Sequence, residues 1–226
     1  MFGKNKKEKI PTFNPAYWYD AYFNRFHFCH WFYRMKLKAL ISLVPANAKT
    51  VLDCGTGSGL LPYLLELRGY EADGFDILDE FVEYGKNKLK KGVIYQDDIT
   101  VFKAPKEKYD ILTCIDIIKR FPPEQRESIY RHIAEYLNKG GRLIVCNASP
   151  FFFRMLFLWR MVIKVLFPGM IYQGNVCGRN LKTAQKVEHY DKFGALRKGL
   201  PLDIFKIVKE KKIVLGILNI VVAERI

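Results

Sequence analysis

Between residues 49 and 149 the chain switches repeatedly between two apolar periods, and the switching predicts alternating strands and helices. Thr50, Val51 and Leu52 form a short continuous apolar run, as expected of a strand buried on both faces. In residues 60–68, Leu61, Leu64 and Leu65 fall at helical spacing, with Pro62 in the first turn and Gly69 just past the end. The same reading gives a second strand over 70–77, a lysine-rich amphipathic helix over 81–91 and a short third strand over 93–95. A fourth buried strand follows over 109–115. The next helix is expected to open at Pro122-Pro123, turn Ile129, Ile133 and Leu137 inward, carry His132 at its edge as a surface residue and close at Gly140, before a fifth strand over 141–147. Five strand-and-helix alternations predict an α/β fold, a parallel sheet with helices on both faces. Two apolar runs around Lys209-Glu210-Lys211-Lys212, in residues 205–225, read as a closing hairpin.

The first strand runs through Asp53 and Cys54 into Gly55-Thr56-Gly57-Ser58-Gly59. Glycines at this spacing let the backbone turn sharply and approach a ligand without Cβ atoms in the way. Strand, glycine loop and helix together form a unit that binds nucleotide-like ligands at the carboxyl end of the strand. The third glycine comes one residue too early for a dinucleotide fingerprint, and no Lys-Ser or Lys-Thr follows as a phosphate loop requires. Asp76 ends the second strand, where a carboxylate can accept hydrogen bonds from both hydroxyls of a ribose.

Val51-Leu52-Asp53-x-Gly55-x-Gly57-x-Gly59 resembles the first motif of class I S-adenosylmethionine-dependent methyltransferases. The resemblance implies a Rossmann-like sheet of seven strands, mostly parallel with the last strand reversed, and S-adenosylmethionine as cofactor. It implies that Asp53, Cys54, Gly55, Thr56, Gly57, Gly59 and Asp76 hold the cofactor, with Ile77 against the adenine. In the family an acidic residue after the third strand meets the adenine amino group; Asp98, followed by Ile99, is the first choice and Asp97 the second. Either aspartate also suits the cap of a turn. Cys114, at the end of the fourth strand, completes the expected cofactor set.

Charge alters the picture once it is located. The net charge of +14 comes from the flanks, +7 in residues 1–50 and +9 in 150–226, while residues 51–149 carry −2. Basic flanks suit an anionic partner, a membrane surface or a nucleic acid. The expected single domain divides into a basic arm and aromatic helical cap (1–48), a cofactor core (49–149), an apolar insertion and lid (150–200) and the closing hairpin (201–226). The first nine residues read as a basic arm with no targeting function. Ten aromatic residues between Tyr17 and Tyr33 exceed what one helix stripe needs, so some pack on the core while others, Trp18 and Tyr22 among them, are candidates to cover a ligand or acceptor. Five scattered cysteines read as reduced thiols of a cytosolic protein, and His27, Cys29 and His30 lack the second ligand pair of a metal site.

Residues 151–167 are dense in Phe, Leu and Trp but include Arg154, Arg160 and Lys164, which suits a helix lying in an anionic membrane interface or a lid on the protein's own core better than a transmembrane span. The insertion's position resembles that of the ubiquinone-biosynthesis O-methyltransferases. Those enzymes hold a divalent metal with Glu-x-x-Glu-His after the fourth strand, whereas this chain has Asp116-Ile-Ile-Lys119-Arg120. One carboxylate survives and two ligands become cations, so no metal is expected and Lys119 and Arg120 are candidates to meet an anionic acceptor. Methyl transfer from a sulfonium needs alignment and a dry site above all. Where the acceptor must lose a proton, Asp116 and His189 are the candidate bases, with Tyr190 beside the acceptor. The expected activity is methylation, at oxygen or nitrogen, of a lipophilic or membrane-associated small molecule at the cytosolic face of a membrane. An RNA methyltransferase and a cofactor-binding protein without turnover are the alternatives. The first lacks an Asn/Asp-Pro-Pro-Tyr motif after the fourth strand, and the intact loop and Asp76 weigh against the second.

Overall fold

A computed structural model describes residues 14–27, 29–149, 196–213 and 216–226. Seven strands form one sheet: β1 (Thr50–Cys54), β2 (Glu71–Asp76), β3 (Ile94–Gln96), β4 (Tyr109–Ile115), β5 (Leu137–Ala148), β6 (Phe205–Ile213) and β7 (Leu218–Arg225). Their order is β3-β2-β1-β4-β5-β7-β6. The first five strands run parallel; β7 returns antiparallel between β5 and β6, as expected of the closing hairpin. Because the chain order reverses on either side of β1, the carboxyl ends of β1 and β4 flank a crevice, the place where such sheets bind ligands.

Helices cover both faces. On one, α2 (His30–Ile41) and α3 (Leu60–Glu66) bury Leu37, Leu40, Ile41, Leu61, Leu64 and Leu65 against Val51, Ile144, Ile220 and Val222. On the other, α5 (Pro123–Glu135) buries Ile129, Tyr130 and Ile133 against Leu112, Leu143 and Val221. Each fully buried aliphatic side chain contributes roughly 1.5–3 kcal/mol relative to exposure, so these stripes fix which sheet face each helix covers. The aromatic segment folds as α1 (Tyr17–Phe23) followed by α2, and Trp18, Tyr19 and Tyr22 pack on the α2–α3 side.

Three expectations are corrected. The lysine-rich helix is shorter than its periodicity predicts: α4 spans Asp79–Gly85. Beyond it the Glu66 carboxylate gathers the amides of Lys90, Lys91 and Gly92 at 2.6–2.8 Å, which fixes that stretch as a turn. Leu137 is a strand residue facing Tyr109, and Gly140, with φ +74°, lies inside β5 at a bulge instead of closing a helix. His132, read as a surface residue, is half-buried and bridges α5 to the backbone oxygen of Phe102 through Nε2 at 3.0 Å. The insertion 151–167, with His189 and Tyr190, lies outside the described residues.

Candidate functional site

The loop after β1 turns on three left-handed glycines, Gly55 (φ +73°), Gly57 (φ +58°) and Gly59 (φ +77°). Thr56 anchors it to β2 by donating its amide to Phe75 O at 2.8 Å. The amide of Gly57 donates to Asp76 Oδ2 at 2.8 Å, so the tip of β2 and the loop are braced against each other. Asp76 Oδ1 accepts the Leu78 amide at 3.0 Å, and each oxygen keeps a further lone pair for a ligand. Burial raises the Asp76 pKa, with the Leu78 and Gly57 amides opposing it. Ile77 stands beside this carboxylate 59 % exposed, an apolar surface a bound purine would cover. A Cβ on Gly57 would sit 3.3 Å from Nε1 of Trp18, which places the α1 tryptophan over the loop. Gly57→Ala therefore adds left-handed strain of roughly 1–2 kcal/mol and a crowded contact, and calorimetry should show at least a severalfold loss of affinity for S-adenosylhomocysteine.

Asp53 lies beneath the loop and is almost completely buried. Its Oδ1 accepts a hydrogen bond from Thr113 Oγ1 at 2.5 Å. Burial nonetheless pushes its pKa up to about 6. Cys54 and Cys114, neighbours in register on β1 and β4, have no exposed side-chain surface. Their thiols belong to the core. Beyond β3, Asp97 accepts the amides of Asp98 and Lys103, while Asp98 Oδ1 caps the following turn through the amide and hydroxyl of Thr100. Ile99 is buried. Each oxygen of Asp97 thus accepts one bond from the loop, and Asp98 uses Oδ1 for its cap.

Sequence reasoning missed the partner of Asp116. This residue follows β4 with φ +57°, a left-handed conformation that aspartate tolerates better than most residues. Its amide donates to Cys146 O at 2.7 Å, and its Oδ1 accepts the Ala148 amide at 2.8 Å, which pins it to β5. Lys119 reaches the same oxygen at 3.1 Å, and Lys36, from α2, pairs with Oδ2. Both lysine side chains are only 7 % exposed. Burial alone would raise the Asp116 pKa, but the two ammonium groups and the Ala148 amide outweigh it and hold the carboxyl far below the usual range. Arg120, exposed on the next turn, donates Nε to Asp116 O at 3.4 Å and its charge also acts on Asp76. A divalent metal at Asp116 would face two ammonium groups, so this donor set does not fit one. Among the described residues, the side-chain oxygens of Asn147 and Ser149, which flank Ala148 in the chain, and of Asn219 are buried without hydrogen-bond partners; Asn147 and Asn219 oppose each other in register across β5 and β7.

A family model described as a methyltransferase domain matches residues 23–169. The ubiquinone biosynthesis O-methyltransferase of Coxiella burnetii (strain Dugway 5J108-111) is 28 % identical over 113 residues, 48 % of this chain and 47 % of that protein. That of Aeromonas salmonicida (strain A449) is 27 % identical over 127 residues, 53 % of this chain and 52 % of the relative. The chain thus spans about half the length of the curated relatives it matches. Among solved structures, magnesium protoporphyrin IX methyltransferase from Synechocystis PCC 6803 with bound S-adenosylhomocysteine superposes with a TM-score of 0.64 at 20 % identity, over 92 % of this chain and 93 % of that one. An N-methyltransferase from Bradyrhizobium japonicum WM9 in complex with the same product gives 0.60 at 11 % identity, over 86 % and 87 %. These neighbours share the fold of this chain. The glycine loop braced by Asp76, the reversed last strand and the family match lead to one assignment: the chain belongs to the methyltransferase domain family, with the fold of the class I S-adenosylmethionine-dependent enzymes.

Proposed function

We propose that the protein transfers a methyl group from S-adenosylmethionine to an oxygen or nitrogen of a small acceptor that combines an apolar body with an anionic group. The observation that carries the acceptor class is the cluster of Lys36 and Lys119 on the carboxylate of Asp116 with Arg120 on its backbone oxygen. These three cations lie near the carboxyl end of β4, where Lys36 also acts on Asp53 and Arg120 on Asp76. The cofactor supplies an electrophilic methyl group; the protein has to hold the two reactants in line and exclude water. Asp53, Asp76, Ile77 and the oxygen left on Asp98 are the groups proposed to hold the cofactor, and Trp18 closes over the loop. Asn147, Ser149 and Asn219, whose side-chain oxygens have no hydrogen-bond partner among the described residues, offer acceptors to a hydroxyl or amine. Asp116 itself stays ionised through the physiological range, so as a base it would be weak; orienting the acceptor through Lys36 and Lys119 is the role its surroundings support. The ubiquinone-type relatives make O-methylation the first chemistry to test.

Calorimetric titration with S-adenosylhomocysteine is the deciding experiment. Micromolar binding is expected, weakened about tenfold or more in Asp76→Ala, which removes the carboxylate that braces the loop. Absence of binding by the wild-type protein would overturn the cofactor assignment. A panel of apolar carboxylates and phosphates should then be methylated in preference to neutral catechols; turnover of catechols alone would overturn the acceptor class.

A further inference from the structure

The corner between α1 and α2 presents an aromatic and cationic face that the cofactor site does not use. Phe23 is 55 % exposed, Phe26 83 % and Trp31 68 %, three large apolar side chains within nine residues. Isolated exposed apolar residues are ordinary. These are not isolated: the rings of Tyr22 and Phe23 lie 4.9 Å apart, the Arg34 guanidinium sits 5.7 Å from the centre of Tyr22, and that of Arg25 lies 4.8 Å from Phe26. Trp31, Arg34 and Lys38 share the exposed side of α2 at helical spacing. Asp20, on α1, accepts a hydrogen bond from Asn24.

We infer that this corner docks the protein on an anionic bilayer surface. Phe and Trp side chains enter the headgroup and acyl boundary, while guanidinium groups lying along aromatic rings snorkel to the phosphates. No helix among the described residues is long and apolar enough to cross a membrane, so contact through this face is interfacial. A second copy of the chain fits poorly, because a two-fold contact would set Arg25, Arg34 and Lys38 against themselves. Single-stranded RNA fits less well too: Arg25 and Arg34 already cover the ring faces of Phe26 and Tyr22 on which bases would stack. The inference rests on surface chemistry and is independent of the acceptor.

Co-sedimentation of the full chain with vesicles of phosphatidylcholine and phosphatidylglycerol tests it. The wild-type protein should bind these vesicles and release in high salt, with little binding to phosphatidylcholine alone. Phe23→Ser/Phe26→Ser/Trp31→Ser should weaken binding roughly tenfold or more and keep the wild-type affinity for S-adenosylhomocysteine. A control triple at other exposed apolar residues, Leu67→Ser/Val101→Ser/Leu202→Ser, should bind as the wild type does. In a Trp18→Phe/Trp159→Phe background Trp31 is the sole tryptophan, and brominated lipid should quench it. Equal sedimentation of the aromatic triple and the wild type, an unquenched Trp31, or displacement of the vesicles by single-stranded RNA would each overturn the inference. Failure of the cofactor titration would leave this test untouched.

Discussion

Replacing Lys36 by methionine is expected to destabilise the folded protein by about 2–4 kcal/mol at neutral pH, because it removes one of two cations from a carboxylate in a largely enclosed site. Methionine keeps most of the apolar stem, so the loss reports the charge. The cost stays below that of stranding a carboxylate completely, since Lys119 and the Ala148 amide still hold Asp116. The pH dependence has a definite sign. Asp116 is depressed in the folded state, so its contribution is fully present above the ordinary aspartate value and is lost as pH falls through its folded value. The gap between wild type and Lys36→Met, measured by chemical denaturation, should therefore be constant near neutrality and shrink in acid. A cycle completed with Asp116→Asn and the double variant should return a coupling of about 1 kcal/mol or more; additive effects would show that the pair contributes nothing. Since Lys36 stands on α2 and Asp116 at the end of β4, the same variant should loosen the aromatic cap from the crevice and weaken binding of S-adenosylhomocysteine.

How far the sequence foretold this arrangement depends on the range of each interaction. The unit β1, glycine loop, α3 was legible because its signals are local: an apolar run, glycines where φ is positive, then leucines at helical spacing. Strand β4 was legible for the same reason, an apolar run between polar breaks, but the β6–β7 hairpin was legible only in outline: Lys209-Glu210-Lys211-Lys212, read as the break between its two runs, lie within β6 and pair with β7, because an edge strand can carry charged residues on its exposed positions. Lys36 was not, because nothing beside it announces a carboxylate 80 residues away; within α2 it occupies the buried stripe with Leu37 and Leu40. The early end of α4 was hidden for a similar reason, as the glutamate that captures the following amides belongs to α3. Leu137 suits a helix stripe and a buried strand equally well, and the choice is made by its pairing with Tyr109. Asp53 was legible as part of the strand that runs into the glycine loop, but its depth and its bond to Thr113 are consequences of the β1–β4 register.

That depth gives Asp53→Asn an unusual expected outcome, a more stable protein that binds its cofactor less well. The carboxyl titrates at about 6 in the folded chain, against 3.8 ordinarily, because ionisation is costly where water is excluded. A raised carboxyl pKa means that the folded state binds more protons between these values, so stability falls as pH rises from about 4 to about 6 and the loss persists above. The difference amounts to about 3 kcal/mol. Asparagine keeps an oxygen to accept from Thr113 and carries no charge, so Asp53→Asn should match the wild type near pH 4 and exceed it by about 1–3 kcal/mol at pH 7 in denaturant unfolding. A constant difference across that range would show that Asp53 ionises as freely as an exposed aspartate. On the cofactor role proposed for Asp53, that cost is offset when the ligand binds, because the amino acid portion of S-adenosylmethionine carries an ammonium group. Binding of S-adenosylhomocysteine to the wild type should therefore strengthen as pH rises through about 6, with release of a proton below it, visible as a dependence of the calorimetric heat on buffer. Asp53→Asn should abolish both effects and weaken binding about tenfold or more.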